Sequence, residues 1–156
     1  MTKIVNAMPG IAGMTKTEVD RFLESKLNVQ LATVDEMGDP NIQPVWFYYD
    51  KNAGELYVGT NRMSKKVQNI RAKPTVYFSI DDENLPYKGA KGKGTTTIIE
   101  DSNQVVPIVE KMNIKYLGTR DHPIAKMLIE NARNGTEILL KIKPRFFSTW
   151  DYGKAQ

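Results

Sequence analysis

Apolar residues recur along this chain in two rhythms, and the change of rhythm marks the elements. Thr15-Lys16-Thr17-Glu18 has the spacing of a capping box, with Thr15 as N-cap and Glu18 reaching back. Behind it Val19, Phe22, Leu23 and Leu27 fall on one helical face, which predicts a helix to Leu27. The rhythm then shortens. NVQLATVD reads as a strand that turns at Met37-Gly38-Asp39-Pro40, and NIQPVWFYYD reads as a second strand of aromatic and β-branched residues. Pro44 lies inside it; proline cannot donate to a ladder, so this point is an edge, a bulge or a gap that faces a ligand. Lys51-Asn52-Ala53-Gly54 is a hairpin turn into ELYVGT.

The pattern predicts a helix over 64–72, a strand at PTVYFSID, a loop at DDENLP and a fifth strand in YKGAKGKGTTTIIED. Residues 102–134 read as mostly helical, broken near Gly118 and at His122-Pro123. After a turn at Asn134-Gly135, TEILLKIKPRFFSTWD is the last strand. The order of elements predicts a mainly β protein with helices (α+β): a six-stranded, antiparallel, Greek-key-like barrel with helices at its rim. Residues 15–152 form its single domain, behind a loosely ordered leader over 1–14.

Composition narrows the chemistry. The 156 residues suit one domain with a real core. With no Cys, disulfides, thiolate metal sites and Cys nucleophiles are excluded. With one His, His122, a clustered-His metal site is excluded as well. His122 precedes Pro123 at a helix start, where a capping role fits better than catalysis. Asp81-Asp82-Glu83 is too short a run to make a metal site. No apolar run is long enough to span a membrane, and the start lacks a signal-peptide core, so the expected location is the cytoplasm. The net charge of +4 permits a nucleic-acid partner and equally a phosphorylated small ligand. No residues combine as acid, base and nucleophile, so no side chain is assigned as catalytic and no metal is expected; any enzyme chemistry would belong to a cofactor.

Three stretches remain. In GTNRMSKKVQNIRAKP a strand ends at Thr60 and a helix begins near Lys65, with Asn61, Arg62, Ser64, Lys65 and Lys66 around the junction. A helix start carries partial positive charge and favours acidic residues. Lysines there break that rule, and an anion held by Ser64, the lysines and the free N–H groups would restore it. The alternative is a solvated turn with incidental lysines. In YKGAKGKGTTT, Ala90, Gly92 and Gly94 share one bare strand face open to a flat ligand or another backbone, while Lys91 and Lys93 share the other. In QPVWFYYD the aromatic run could stack on a ring, although core and subunit interface are its default uses.

On these residues the chain resembles the FMN-binding split β-barrel family, the relatives of pyridoxamine 5′-phosphate oxidase. Thr60-Asn61, two variable residues, Ser64, Lys65-Lys66, a short helix, then Lys73-Pro74 and an apolar strand follow the family's pattern. The resemblance implies that Thr60, Ser64, Lys65 and Lys66, with Asn61 beside them, hold a flavin phosphate. It implies that the backbone at Pro44, Val45 and Trp46 lies along the flavin ring. Phe147-Ser148-Thr149-Trp150 matches the closing strand, whose Trp reaches the cofactor across a homodimer.

The implied function is an FMN-dependent oxidoreductase acting on a small molecule. After Trp150 the chain runs Asp-Tyr-Gly-Lys-Ala-Gln, without the family's substrate segment of paired Arg and a His, so vitamin B6 oxidation is not implied. Lys115-Tyr116-Leu117-Gly118 recurs in deazaflavin-using relatives, which makes coenzyme F420 the alternative cofactor, with Lys88, Lys91 and Lys93 along its acidic tail. Two further alternatives are a haem-handling protein using His122 and a nucleic-acid-binding barrel whose affinity falls with salt.

Overall fold

The computed structural model describes residues 2–155. Eight strands form one sheet: β1 (Lys3–Asn6), β2 (Val29–Val34), β3 (Pro40–Val45), β4 (Tyr48–Asp50), β5 (Glu55–Asn61), β6 (Thr75–Asp82), β7 (Lys88–Ile99) and β8 (Glu137–Asp151). Four helices accompany them: α1 (Lys16–Leu23), α2 (Lys65–Ala72), α3 (Ser102–Leu117) and α4 (Pro123–Asn134). The sheet order is β3-β2-β6-β7-β8-β5-β4, and β1 adds a parallel pairing to β8. The expected α+β class is what the structure has.

Strands β3 and β4 are the two ends of this path, yet only Trp46 and Phe47 separate them in the chain. The sheet therefore curls back on itself into a barrel with a seam at Trp46-Phe47. Leu31, Leu56, Val58, Phe78, Ile80, Leu140, Ile142 and Phe147 fill the interior. A second cluster, with Val105, Val109, Met112, Ala132 and Leu139, glues α3 and α4 to the outside of β5 and β8.

The structure has eight strands where the sequence pattern gives six, for two reasons. The aromatic run is not one strand, because Phe47 leaves the ladder. Its N–H donates to the Tyr116 hydroxyl (3.1 Å), and its carbonyl accepts from Lys115 Nζ (3.0 Å). Side chains of α3 thus satisfy the backbone at the seam, as buried amides require. Trp46 stacks on Tyr116 with centroids 4.6 Å apart and planes at 2°. The second reason is that the expected loose leader contains β1. Its ladder runs from Lys3 opposite Phe146 to Asn6 opposite Thr149, and the Thr149 hydroxyl accepts from the Met14 N–H (2.8 Å). Pro9, Gly10 and Gly13 interrupt side-chain periodicity there without preventing pairing upstream.

Local signals are realised closely. Thr15 and Glu18 form both halves of the capping box, although α1 stops at Leu23 rather than Leu27. His122 is the N-cap of α4, its Nδ1 accepting from the Ile124 N–H (3.1 Å). Pro44 lies on β3, the sheet edge that pairs only with β2. The bare face of β7 is used for packing. A Cβ on Gly92 would meet the Phe146 carbonyl oxygen and lie 2.7 Å from Phe78 Cζ, so this glycine admits β8 and a core ring.

Candidate functional site

Strand β5 delivers Thr60 and Asn61 to the mouth of the barrel, and a tight turn starts α2 there. Asn61 shapes the turn: its carbonyl accepts from the Ser64 N–H (3.0 Å) and its Oδ1 from the Met63 N–H (2.8 Å). Ser64 is the N-cap of α2 by backbone geometry, yet its side chain makes no cap hydrogen bond. Instead its Oγ lies 3.2 Å from Thr60 Oγ1, and Thr60 is buried. Two hydroxyls thus converge beside the first turn of a helix, where the N–H groups of Lys65 and Lys66 have no carbonyl one turn back.

The two lysines diverge. Lys65 is exposed and pairs with Glu36 (2.6 Å), which lowers the Glu36 carboxyl below its usual range. Lys66 is only 7% exposed. Its Nζ donates to the Gln43 side-chain carbonyl on β3 (3.0 Å), and no ion pair to it forms among the described residues. Burial pulls its pKa below the ordinary lysine value, with the Glu137 charge acting in the opposite direction. A buried cation in the first turn of a helix, preceded by two hydroxyls paired only with each other, has the donor chemistry of an anion site. Asn69, one turn on, anchors α2 to the barrel by donating to Thr33 Oγ1 (3.0 Å), both groups buried. These residues fit a bound phosphate by the chemistry of their donors.

The structure brings Thr60, Asn61, Ser64, Lys65 and Lys66 together. Val45 and Trp46 lie at the seam and line a cavity with Gly59 of β5, while Pro44 sits one residue earlier on the exposed edge. Gln43 therefore links the β3 edge to Lys66. Trp150 is elsewhere. It pairs with Gly89, whereas the β8 residue opposite Thr60 is Ile138. Trp150 lies twelve positions beyond Ile138, a path of about 40 Å along the curving β8 at the usual rise. Lys91 and Lys93 line the outer face of β7, with Lys93 Nζ 6.0 Å from the Tyr77 ring centroid.

Sequence pattern does not single out Glu137, Gln43 or Asn113. Glu137 opens β8 opposite Asn61 and shares the cavity with Trp46. Burial pushes its carboxyl up to about 7, with Lys66 opposing the shift. The seam also perturbs Lys115, which burial lowers to about 8, and Tyr116, which burial raises to about 12. Lys115 is fully engaged: it bonds the Leu23 and Phe47 carbonyls, and its Nζ lies 3.5 Å from the Phe47 ring centroid. Among the described residues no helix is long and apolar enough to cross a membrane.

Comparison with known proteins gives the same frame. No curated protein matches the chain. A conserved hypothetical protein of Mycobacterium tuberculosis superposes with a TM-score of 0.80 at 22% identity, over 96% of this chain and 92% of that one. A solved F420 reductase is 27% identical over 83% of this chain and 94% of its own, with a TM-score of 0.67. A FAD-binding protein of Mesorhizobium loti aligns over 90% and 97% at 18% identity and a TM-score of 0.63, a likeness of fold. The family model for pyridoxamine 5′-phosphate oxidase matches residues 15–150, from the capping threonine of α1 to the tryptophan near the end of β8. The curled sheet, the helix-start mouth and this match over most of the chain agree: the chain belongs to the pyridoxamine 5′-phosphate oxidase family.

Proposed function

We propose that this chain is an oxidoreductase that binds a phosphate-bearing flavin-type cofactor, FMN in the first instance, at the mouth formed by Thr60, Ser64 and Lys66. The observation that carries this reading is Lys66. It is a buried cation that makes no ion pair among the described residues, near two hydroxyls that cap nothing. A phosphate there would accept from both hydroxyls and from the first-turn N–H groups, and its charge would compensate Lys66. Lys65 adds long-range attraction from the surface, already shared with Glu36.

When bound, such a cofactor supplies hydride transfer at its ring. The chain's residues position it and keep water out. Val45 and Trp46 would border the ring, and Tyr116 fixes Trp46 by stacking. A homodimer belongs to the same reading. In that reading Trp150, twelve positions along β8 from the partner of Thr60, would meet the cofactor held by a second copy.

Coenzyme F420 is the second reading. It is supported by the F420 reductase at 27% identity, and by Tyr116 of the Lys115-Gly118 segment at the seam. Both cofactors need the phosphate clamp. The test is the absorbance spectrum of the purified protein, with mass spectrometry of what denaturation releases. FMN or its deazaflavin counterpart is the expected product. A colourless protein that takes up neither when each is added refutes the clamp.

A further inference from the structure

Pro107, Lys111 and Ile114 follow one another along one face of α3, each about a turn beyond the last. Across from them stand Tyr48 of β4 and the end of α1, and a groove of about 620 Å³ lies between. Sites for small molecules have volumes of about 300–1,000 Å³. Pro107 is exposed, Ile114 is 45% exposed and Tyr48 is half-buried, so the surface open to a ligand is largely apolar.

The charges around this groove do not balance. Its two carboxylates each have a cation of their own: Glu24 pairs with Lys51 (3.1 Å) and Glu110 with Arg120 (3.9 Å). Its two lysines, Lys111 and Lys115, make no ion pair among the described residues. Lys111 is exposed, with Nζ 5.2 Å from the Tyr48 ring centroid. Lys115 is half-buried and donates to the Leu23 and Phe47 carbonyls (3.3 and 3.0 Å). Those carbonyls satisfy its donors but bring no negative charge. Glu24 is the carboxylate that acts on Lys115, and Lys51 already holds it.

We propose that this groove binds a small apolar carboxylate, an aromatic or hydrocarbon body with one anionic end. The body would lie along Pro107, Ile114 and Tyr48. The carboxylate would meet Lys111 at the rim, with the charge of Lys115 adding attraction. A free phosphate would forgo the apolar wall. A polyanion would meet Glu24 and Glu110 with like charge. A neutral ligand would leave both lysines uncompensated. The inference goes beyond the cofactor reading and does not rest on it. No lining residue of the groove belongs to the mouth at Thr60, Ser64 and Lys66 or to the ring border at Val45 and Trp46.

The test is calorimetric titration of the protein as purified with 2-naphthoate, and with 2-naphthamide as a neutral molecule of the same shape. The carboxylate should bind at least about tenfold tighter, the scale of one charge-assisted hydrogen bond. Lys111→Ala should remove that difference and leave the affinity of the amide as it was. Ile114→Asp, which puts a charge in the apolar wall, should weaken both probes by at least about tenfold. Both positions are exposed on α3, so neither change threatens the fold. Equal affinity for the two probes, an unchanged preference in Lys111→Ala, or no saturable binding overturns the proposal. So does displacement of 2-naphthoate by added FMN, which would assign the probe to the cofactor mouth and leave the clamp intact. An affinity that falls as the protein is concentrated would give this face to a second copy of the chain and overturn the proposal as well. Lys66→Ala that loses cofactor while keeping 2-naphthoate would uphold the groove as a separate site.

Discussion

The two faces of β5 carry opposite problems. On one side Lys66 is a buried cation without a carboxylate; on the other Glu137 is a half-buried carboxyl without a cation. They lie close enough for each to feel the other, yet no ion pair forms within 4 Å. Each instead drifts toward its neutral form, Lys66 downward and Glu137 upward. A protein selected only for stability would close the pair or replace both residues by apolar ones. Keeping them apart leaves a cation without an ion pair on one side and a carboxyl held toward its neutral form on the other.

The sharpest way to break the comparison is to remove what both sides share. Tyr116 supports the seam from α3, donating to the Leu27 carbonyl (2.6 Å), accepting from Phe47 and stacking on Trp46. Tyr116→Ala should cost about 3–5 kcal/mol in urea unfolding and weaken cofactor retention as well. Lys66→Ala should separate the faces: retention of the released cofactor, followed by absorbance after gel filtration, should fall roughly 10–100-fold, the scale of one charge-assisted hydrogen bond. The apo-protein should lose little stability, because a desolvated cation disappears.

Glu137→Gln probes the other face through pH. The folded pKa, about 7, lies above the ordinary carboxyl value of 4.5. Between these values the native state holds a proton that the unfolded chain has lost. The advantage is full below pH 4.5 and is lost as pH rises through 7. After allowance for solvent screening it amounts to roughly 1–2 kcal/mol, read as a fall in urea midpoint from pH 5 to pH 8. Glu137→Gln should flatten that fall. If the variant keeps the wild-type slope, Glu137 is not the titrating group. The smallest effect is expected from Lys65→Ala. Its exposed pair with Glu36 should change stability by less than about 0.5 kcal/mol, and cofactor retention only severalfold, more at low salt.

How far the sequence disclosed these features follows the range of the interactions. The capping box of Thr15 and Glu18, the His122 cap and the Pro44 edge are settled within a few residues, and all were legible. So was the mouth, because Thr60 through Lys66 are consecutive and the lysines violate a local charge rule. The seam was not legible: the aromatic run has every local mark of one strand, and the groups that end it belong to Lys115 and Tyr116. Strand β1 was hidden for the same reason, its ladder partner lying at the other end of the chain. Glu137 left no trace, since one Glu at the head of an apolar strand is ordinary until Gly59 and the helices enclose it.

The seam also constrains the order in which the molecule can be made. Its decisive hydrogen bond joins residues 69 apart, and Tyr116 reaches Leu27 across 89. Contacts of such separation come late, after their loop entropy has been met. On the ribosome, β2 to β6 emerge before α3 and β8 exist, so the Phe47 amide is still unpaired and β5 still lacks its ladder to β8. The mouth beside that seam is therefore complete on the growing chain only after α3 and β8 have followed.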